Sequence, residues 1–262
     1  MTMIWRPGYT WNETIWNPSM IDTALWLDAA DASTITESGG AVSQWDDKSG
    51  NGRDAIQLVA ASQPNYSATG LNSLPAIDFD GTNDELALST VAGLNSVSQS
   101  LFIVAKRDNS AGRTEIPLSV GNVSSGDGIA DIPRWSDNIM YSQVGRVNNR
   151  PTPASVITDS PYINAVTGGL IQNSYTNGLL IGTGTTQNQS DFSIAYGGYV
   201  GSGRAVSTSL RFFDGKISEI VLVPSVATLD LRQRIEGYLA HKWGLTANLP
   251  ADHPYKLVGP TP

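Results

Sequence analysis

Four carboxylates fall close together at Asp78, Asp80, Asp84 and Glu85, and two more adjoin at Asp46 and Asp47. Paired carboxylates about 5–10 Å apart are what glycoside hydrolysis asks for, one acting as acid and the other as base or nucleophile. Calcium asks for the same hard oxygens, so it is the one cofactor these residues could hold. Against both stands the local pattern. Asp78 and Asp80 alternate with Ile77 and Phe79 and run into Gly81, and Asp beside a turn commonly accepts hydrogen bonds from that turn's own amides. Nucleophilic chemistry finds no better footing. His241 reads as a surface or cap residue of a helix, and His253 sits in a Pro-flanked tail, neither beside a Ser or Cys nucleophile motif. The chain has no cysteine and no His-Glu-x-x-His pair, which leaves no zinc spacing. The expectation is a protein without catalytic residues.

Two groups of aromatics are candidates for contact. Arg134, Trp135 and Tyr141 lie in DIPRWSDNIMY, which interrupts the strand pattern and places aromatic rings beside Asn and Asp, as a glycan groove requires. Trp5, Tyr9, Trp11 and Trp16 lie in an opening stretch with no helical or strand period. Residues 1–20 therefore read as an extended arm whose rings lie on this domain's own flank or on a neighbouring subunit.

Composition limits the partners. Lys and Arg number 16 against 24 Asp and Glu, a net charge of −8, so the field repels nucleic acid phosphate. No run approaches the ~20 apolar residues of a membrane span, and the first residues lack the basic start and apolar run of a signal peptide. Synthesis in the cytoplasm follows as the expectation.

The elements that must position these residues are strands. Hydrophobic residues make up 40% and charged residues 15% of the chain, with 26 Gly and 14 Pro, the balance of many short strands and turns. Strand patterns recur at Leu25–Leu27, Val42–Trp45, Ile77–Phe79, Leu86–Leu88, Leu101–Ala105, Ile116–Val120, Ile139–Val144, Tyr162–Val166, Phe192–Tyr199 and Leu210–Phe213. A hairpin-like pattern surrounds Gly81, and Asn177-Gly178 between Tyr175-Thr176 and Leu179-Leu180 predicts a type I′ hairpin. Asp46 to Arg53 is turn chemistry. The last strand, Ser218–Val223, becomes continuously apolar, so both its faces need cover. An amphipathic helix over about 229–243, capped by Thr228 or Asp230 and stopped by Gly244, supplies a lid through Leu231, Ile235, Tyr238 and Leu239, with Arg232, Arg234, Glu236 and Lys242 largely off that stripe. The fold class is all-β: one antiparallel β-sandwich or jelly roll over residues 21–262 with a single C-terminal helix.

Four stretches, LWLDAAD from Leu25, WDDKSGNGRDA from Trp45, AIDFDGTNDEL from Ala76 and FDGKISEIVLV followed by RQRIEGYLAHKWG, together resemble a LamG-like, concanavalin A-like lectin/glucanase domain of the kind found in bacteriophage structural proteins. The resemblance covers most of the chain from about residue 20. Glucanases of that fold carry Glu-x-Asp-x-Glu or Glu-x-Asp-x-x-Glu on one strand, and neither is present here. What it implies is a non-enzymatic virion component, a capsid decoration or fibre-type protein anchored among other virion proteins by the arm, homo-oligomeric, and reaching the exterior by assembly and lysis. The alternative is a carbohydrate-binding module for host-surface glycans, and a glycoside hydrolase stands third.

Overall fold

The structure is a computed structural model, which describes residues 16–108, 114–122, 127–132, 141–149, 159–186, 191–203 and 211–262. Eighteen strands are described. In chain order they are β1 (Leu25–Asp28), β2 (Ile35–Ser38), β3 (Ala41–Trp45), β4 (Ala55–Ile56), β5 (Asn65–Leu71), β6 (Leu74–Asp80), β7 (Leu86–Leu88), β8 (Ser100–Arg107) and β9 (Leu118–Asn122). There follow β10 (Asp127–Ile132), β11 (Tyr141–Asn149), β12 (Tyr162–Thr167), β13 (Ile171–Thr176), β14 (Leu179–Thr186), β15 (Gly198–Val200), β16 (Ser202–Gly203), β17 (Arg211–Phe212) and β18 (Asp214–Val223). Among the described residues the one α-helix, α1, is Leu229–Trp243.

Every described strand pair is antiparallel, and following the pairings from β18 through β6, β5, β3, β4, β7, β15, β9, β10, β11, β14, β13, β12 and β8 returns to β18. The circuit is thinnest at β3–β5, paired at Ala41 and Asn65 alone, and β11 meets β14 only at Val147 and Asn149, across a register shift. Folding at those two places flattens it into two layers around one core, a β-sandwich. The front sheet runs from β3 to β11 and the back sheet from β14 to β5. Between them lie Leu27, Trp45, Phe79, Leu86, Ile103, Leu118, Val120, Ile129, Val144 and Ile220.

The back sheet carries a second buried layer. Phe102, Val104, Ile163, Ala165, Val221 and Val223 face outward onto Ile235, Leu239 and Trp243 of α1. Thr228 caps the helix through Leu231 N–H, and Gly244 ends it in the left-handed region at φ 70°, with Leu245 N–H donating to the Ala240 carbonyl. Here the structure departs from the expected exposure: Arg232 and Glu236 are buried. The reason is the tail. Residues 250–261 cross the outer side of α1, where His253 meets Glu236 at 3.3 Å, His241 bonds the Tyr255 carbonyl at 2.8 Å and Arg234 donates to the Thr261 carbonyl at 2.8 Å. His241 is thus a strap contact and not a plain surface residue. Gly237 lets the strap lie this close, since a Cβ there would stand 2.4 Å from that of Tyr255.

Three other expectations need correction. β6 and β7 do not form a hairpin across Gly81, because the chain passes there from the back sheet to the front, where β7 pairs with β4 and β15. The run from Phe192 contributes a strand only at Gly198–Val200, since Phe192 turns into the core. Residues 16–20 do not extend as an arm: Trp16 is buried, edge-on to Tyr238 at 6.1 Å, and its N–H donates to the Pro260 carbonyl at 3.2 Å. The Asn177-Gly178 hairpin is as expected, with φ of 51° and 82°.

Beneath the helix lies a buried charge network. Glu219 accepts from Trp26 Nε1 at 2.8 Å, Trp243 Nε1 at 2.6 Å, Tyr238 Oη at 3.0 Å and Lys242 Nζ at 2.8 Å. Lys242 also donates to Asp28 at 2.6 Å, and Asp28 accepts from Lys48 at 2.9 Å. Burial raises Glu219 above the ordinary carboxylate range, with Lys242 opposing it; all four partners are donors, so the packing accepts the carboxylate form. For Asp28, burial works against the charge, but Lys242 and Lys48 hold it below the usual value. Removing one member leaves charges buried without a match, which costs about 3–5 kcal/mol. Glu219→Gln is therefore expected to lower the melting temperature by about 10 °C or more for a domain of this size, read by calorimetry; a change under 2 °C would show that the network is not what holds the helix down.

Candidate functional site

The acidic cluster was the first place to look for chemistry, and its members diverge. Asp80 Oδ1 accepts from Thr82 N–H at 2.8 Å and Asn83 N–H at 3.2 Å, while Asp84 Oδ2 accepts from Asp80 N–H at 3.0 Å. Asp78 pairs with Lys216 on the back sheet at 3.1 Å, and Glu85, on the front sheet, accepts from Ser202 Oγ at 2.6 Å. Asp47 is likewise engaged, Oδ1 by Trp26 and Ser49 N–H and Oδ2 by Ser49 Oγ and Arg53 N–H. These contacts make the turn from Asp46 to Arg53 a plug on the free edge of β1, where Lys48 N–H also donates to the Trp26 carbonyl. Among the described residues no three His, Cys, Asp or Glu side chains gather as a metal site.

Of the contact candidates, Arg134 and Trp135 lie outside the described residues, as do Trp5, Tyr9 and Trp11. Tyr141 is described. It stands on the outward face of the front sheet, packed with Ile116 and Ala130.

That outward face is the candidate site, and the strand registers lay it out. Gln44 pairs with Ile56, Ile56 with Ala87, Ala87 with Tyr199, Tyr199 with Ser119, Ser119 with Ala130 and Ala130 with Gln143. Directly paired residues share a face. Their neighbours in sequence, Trp45, Ala55, Leu86, Val200, Leu118, Ile129 and Val144, fill the inter-sheet core, so this row points the other way. Ser119, Ala130 and Gln143 are covered, and Ser119 Oγ donates to the Ser202 carbonyl at 2.8 Å. Gln44, Ile56, Ala87 and Tyr199 remain half-exposed.

Tyr199 is the distinctive member. A Cβ on Gly197 would come within 3.3 Å of the Tyr199 hydroxyl and 3.4 Å of its Cε2. The tip of the ring lies against Gly197, which precedes β15 in a turn at φ 74°. The sequence reading passed over it. A Gly-Gly pair just before the Tyr, at Gly197-Gly198, was the signal available.

No family model matches the chain, and no curated protein matches it. Solved structures do. A Trypanosoma rangeli sialidase in complex with sialic acid superposes with a TM-score of 0.56 at 12% identity, over 84% of this chain and 33% of the sialidase. Domain 4 of AbnA, a GH43 extracellular arabinanase from Geobacillus stearothermophilus, in complex with arabinotriose, superposes with a TM-score of 0.55 at 16% identity, over 79% of this chain and 94% of that domain. The chain spans about a third of the sialidase it matches. The likeness shows the fold, an all-β sandwich.

Asp84 gives the acidic turn a measurable signature. Burial, reinforced by the charges of Asp80 and Asp78, pushes its carboxyl up to about 6. A raised folded-state value stabilises the fold fully below the unfolded value near 4, and that contribution is lost as pH rises through 6. Asp84→Asn should remove this loss, so that variant minus wild-type stability grows between pH 4 and 6 by up to about 3 kcal/mol and is flat above. Denaturant titrations at several pH values would measure it; parallel curves for the two proteins would place the Asp84 carboxyl at its ordinary value.

Proposed function

We propose that this chain is a carbohydrate-binding β-sandwich that works by contact and without catalysis, and that its binding face is the outward face of the front sheet. One observation carries the reading: half-exposed Tyr199, its ring tip against Gly197, in register with Ala87, Ile56 and Gln44. An aromatic ring lying along a sheet offers a sugar's C–H face an apolar surface, and amide and carboxylate groups around it can take the hydroxyls. The fold likeness to an arabinanase domain in complex with arabinotriose supports this use of the architecture. The acidic cluster lends hydrolysis no support, because Asp80 and Asp84 accept from each other's backbone amides, Asp78 pairs with Lys216 and Glu85 accepts from Ser202.

Display on a virion surface is a second proposal, and the placement of the chain ends favours it. Trp16 and Pro260 meet on the helix-backed side, opposite the face that carries Tyr199. An anchor there would present the binding face outward.

Two measurements test these readings. Tyr199→Ala should abolish binding on a glycan array while leaving the melting temperature within about 3 °C, as expected for a half-exposed side chain; unchanged binding would exclude this face. Deleting residues 1–15 should leave a folded, glycan-binding domain that no longer enters particles, and normal incorporation would remove the anchoring role.

A further inference from the structure

Beneath α1 a primary amine and two carboxyl groups meet behind aromatic side chains. Asp28 and Glu219 are directly paired in the β1–β18 register, so both side chains leave the sheet on one face, toward the helix. Lys242 comes down between them from α1. Its Nζ donates to Asp28 Oδ1 at 2.6 Å, to Glu219 Oε2 at 2.8 Å and to Tyr238 Oη at 3.0 Å. The Asp28 carboxylate is held on its other side as well, by Lys48 Nζ on Oδ2 at 2.9 Å, while Ala30 N–H donates to Oδ1 at 3.1 Å. Asp28 and Glu219 are buried, as are Trp26, Tyr238 and Trp243, whose polar atoms all bond to Glu219.

An amine and a carboxyl group fixed side by side can condense to an amide when a third group carries the protons, because the fold has already supplied the encounter and the alignment. Each role has an occupant here. Nζ of Lys242 is the nucleophile, and Cγ of Asp28, next to the contacted Oδ1, is the carbon attacked. Glu219 takes a proton from the ammonium, a transfer favoured by the burial that raises its carboxyl above the ordinary range. The freed amine then attacks Cγ, and charge builds on Oδ2, where Lys48 lies. Against burial, Asp28 and Asp31 raise Lys48 above its ordinary value, so it stays an ammonium and does not compete as a nucleophile. Oδ1 departs as water with two protons that Glu219 relays from Nζ. Ammonium and carboxylate become one amide and one water, Glu219 ends as the carboxylate it was, and nothing is oxidised or reduced.

We propose that Lys242 and Asp28 join in an isopeptide bond, formed once within the folded chain with Glu219 as the proton carrier. The bond links β1 to the last turn of α1, residues 214 apart in sequence. Strands β2 to β18 all lie inside the loop it closes. Such a cross-link restricts the unfolded chain and keeps the helix attached to the back sheet even when the packing between them is lost. It is a single internal turnover that needs no substrate, so it stands independently of the carbohydrate-binding reading.

Intact-mass spectrometry of the purified full chain tests it, and the wild-type measurement needs no variant to fold. The mass should fall about 18 Da below that of the sequence, one expelled water, once removal of Met1 is allowed for. A protease digest should contain one branched peptide that joins Asp28 to Lys242. Lys242→Arg keeps the positive charge but has no amine to acylate, and it should show the full mass. Lys48→Arg should keep the loss. Glu219→Gln, checked for folding by near-ultraviolet circular dichroism, should also show the full mass. A wild-type chain at its full sequence mass, or a mass loss without the branched peptide, would overturn the bond. A loss that disappears in Lys48→Arg and persists in Lys242→Arg would overturn the choice of lysine. A loss that persists in folded Glu219→Gln would overturn the proton-carrier role.

Discussion

The structure depends on one buried carboxylate. Glu219 has no exposure, and its two oxygens accept from two indoles, one phenol and one ammonium. Nothing in a regular strand would put it there. In β18 both Ile217 and Ile220 face the core, so strict alternation would send Glu219 inward among aliphatic side chains. The register shift between Ile217 and Glu219 inserts one extra residue, and beyond it Glu219 and Val221 face the helix. A single bulge therefore decides which of two hydrophobic layers receives the charge.

The charge in turn dictates its surroundings. A buried carboxylate must be matched by donors and by opposite charge. Trp26 and Asp28 come from β1, Tyr238, Lys242 and Trp243 from α1, and Lys48 from the plug turn, so the network ties four distant segments together. Lys48 also lies 4.4 Å above the Trp26 ring, which closes the exposed side of the cluster. The helix is held by this polar anchor at its C-terminal half and by apolar contact along its length. The tail strap adds a third hold over Glu236, whose carboxylate sits between Arg232 and His253.

Much of this was legible in the sequence, and what was legible was the scaffold. The four stretches that resemble a lectin-like domain contain Trp26, Asp28, Lys48, Glu219, Tyr238, Lys242 and Trp243, members of one network far apart in the chain. Their pattern is strong because a buried charge tolerates few substitutes. Strand existence, the Asn177-Gly178 hairpin and both caps of α1 could be read from local chemistry alone. The crossover at Gly81 could not, because Asp80 to Asp84 makes the same amide-carboxylate contacts whether the chain doubles back or changes sheets. Burial of Arg232 and Glu236 was hidden for a similar reason: a polar helix face signals water unless something else lies over it, and the tail that does so has no periodic pattern to announce it.

The candidate face was the hardest part to read, since its members are unremarkable one at a time. Gln44, Ile56, Ala87 and Tyr199 come from four strands spread over more than half the chain, and only the registers align them. A binding surface on a sheet is a cross-strand property, whereas sequence displays along-strand order. The division of labour follows from that. The back sheet has to carry the helix, the strap and Trp16, which commits its outer face to burial. Among the described residues no helix or strap lies over β3, β4, β7 and β15 of the front sheet, so that face can vary without disturbing the network that holds the fold together.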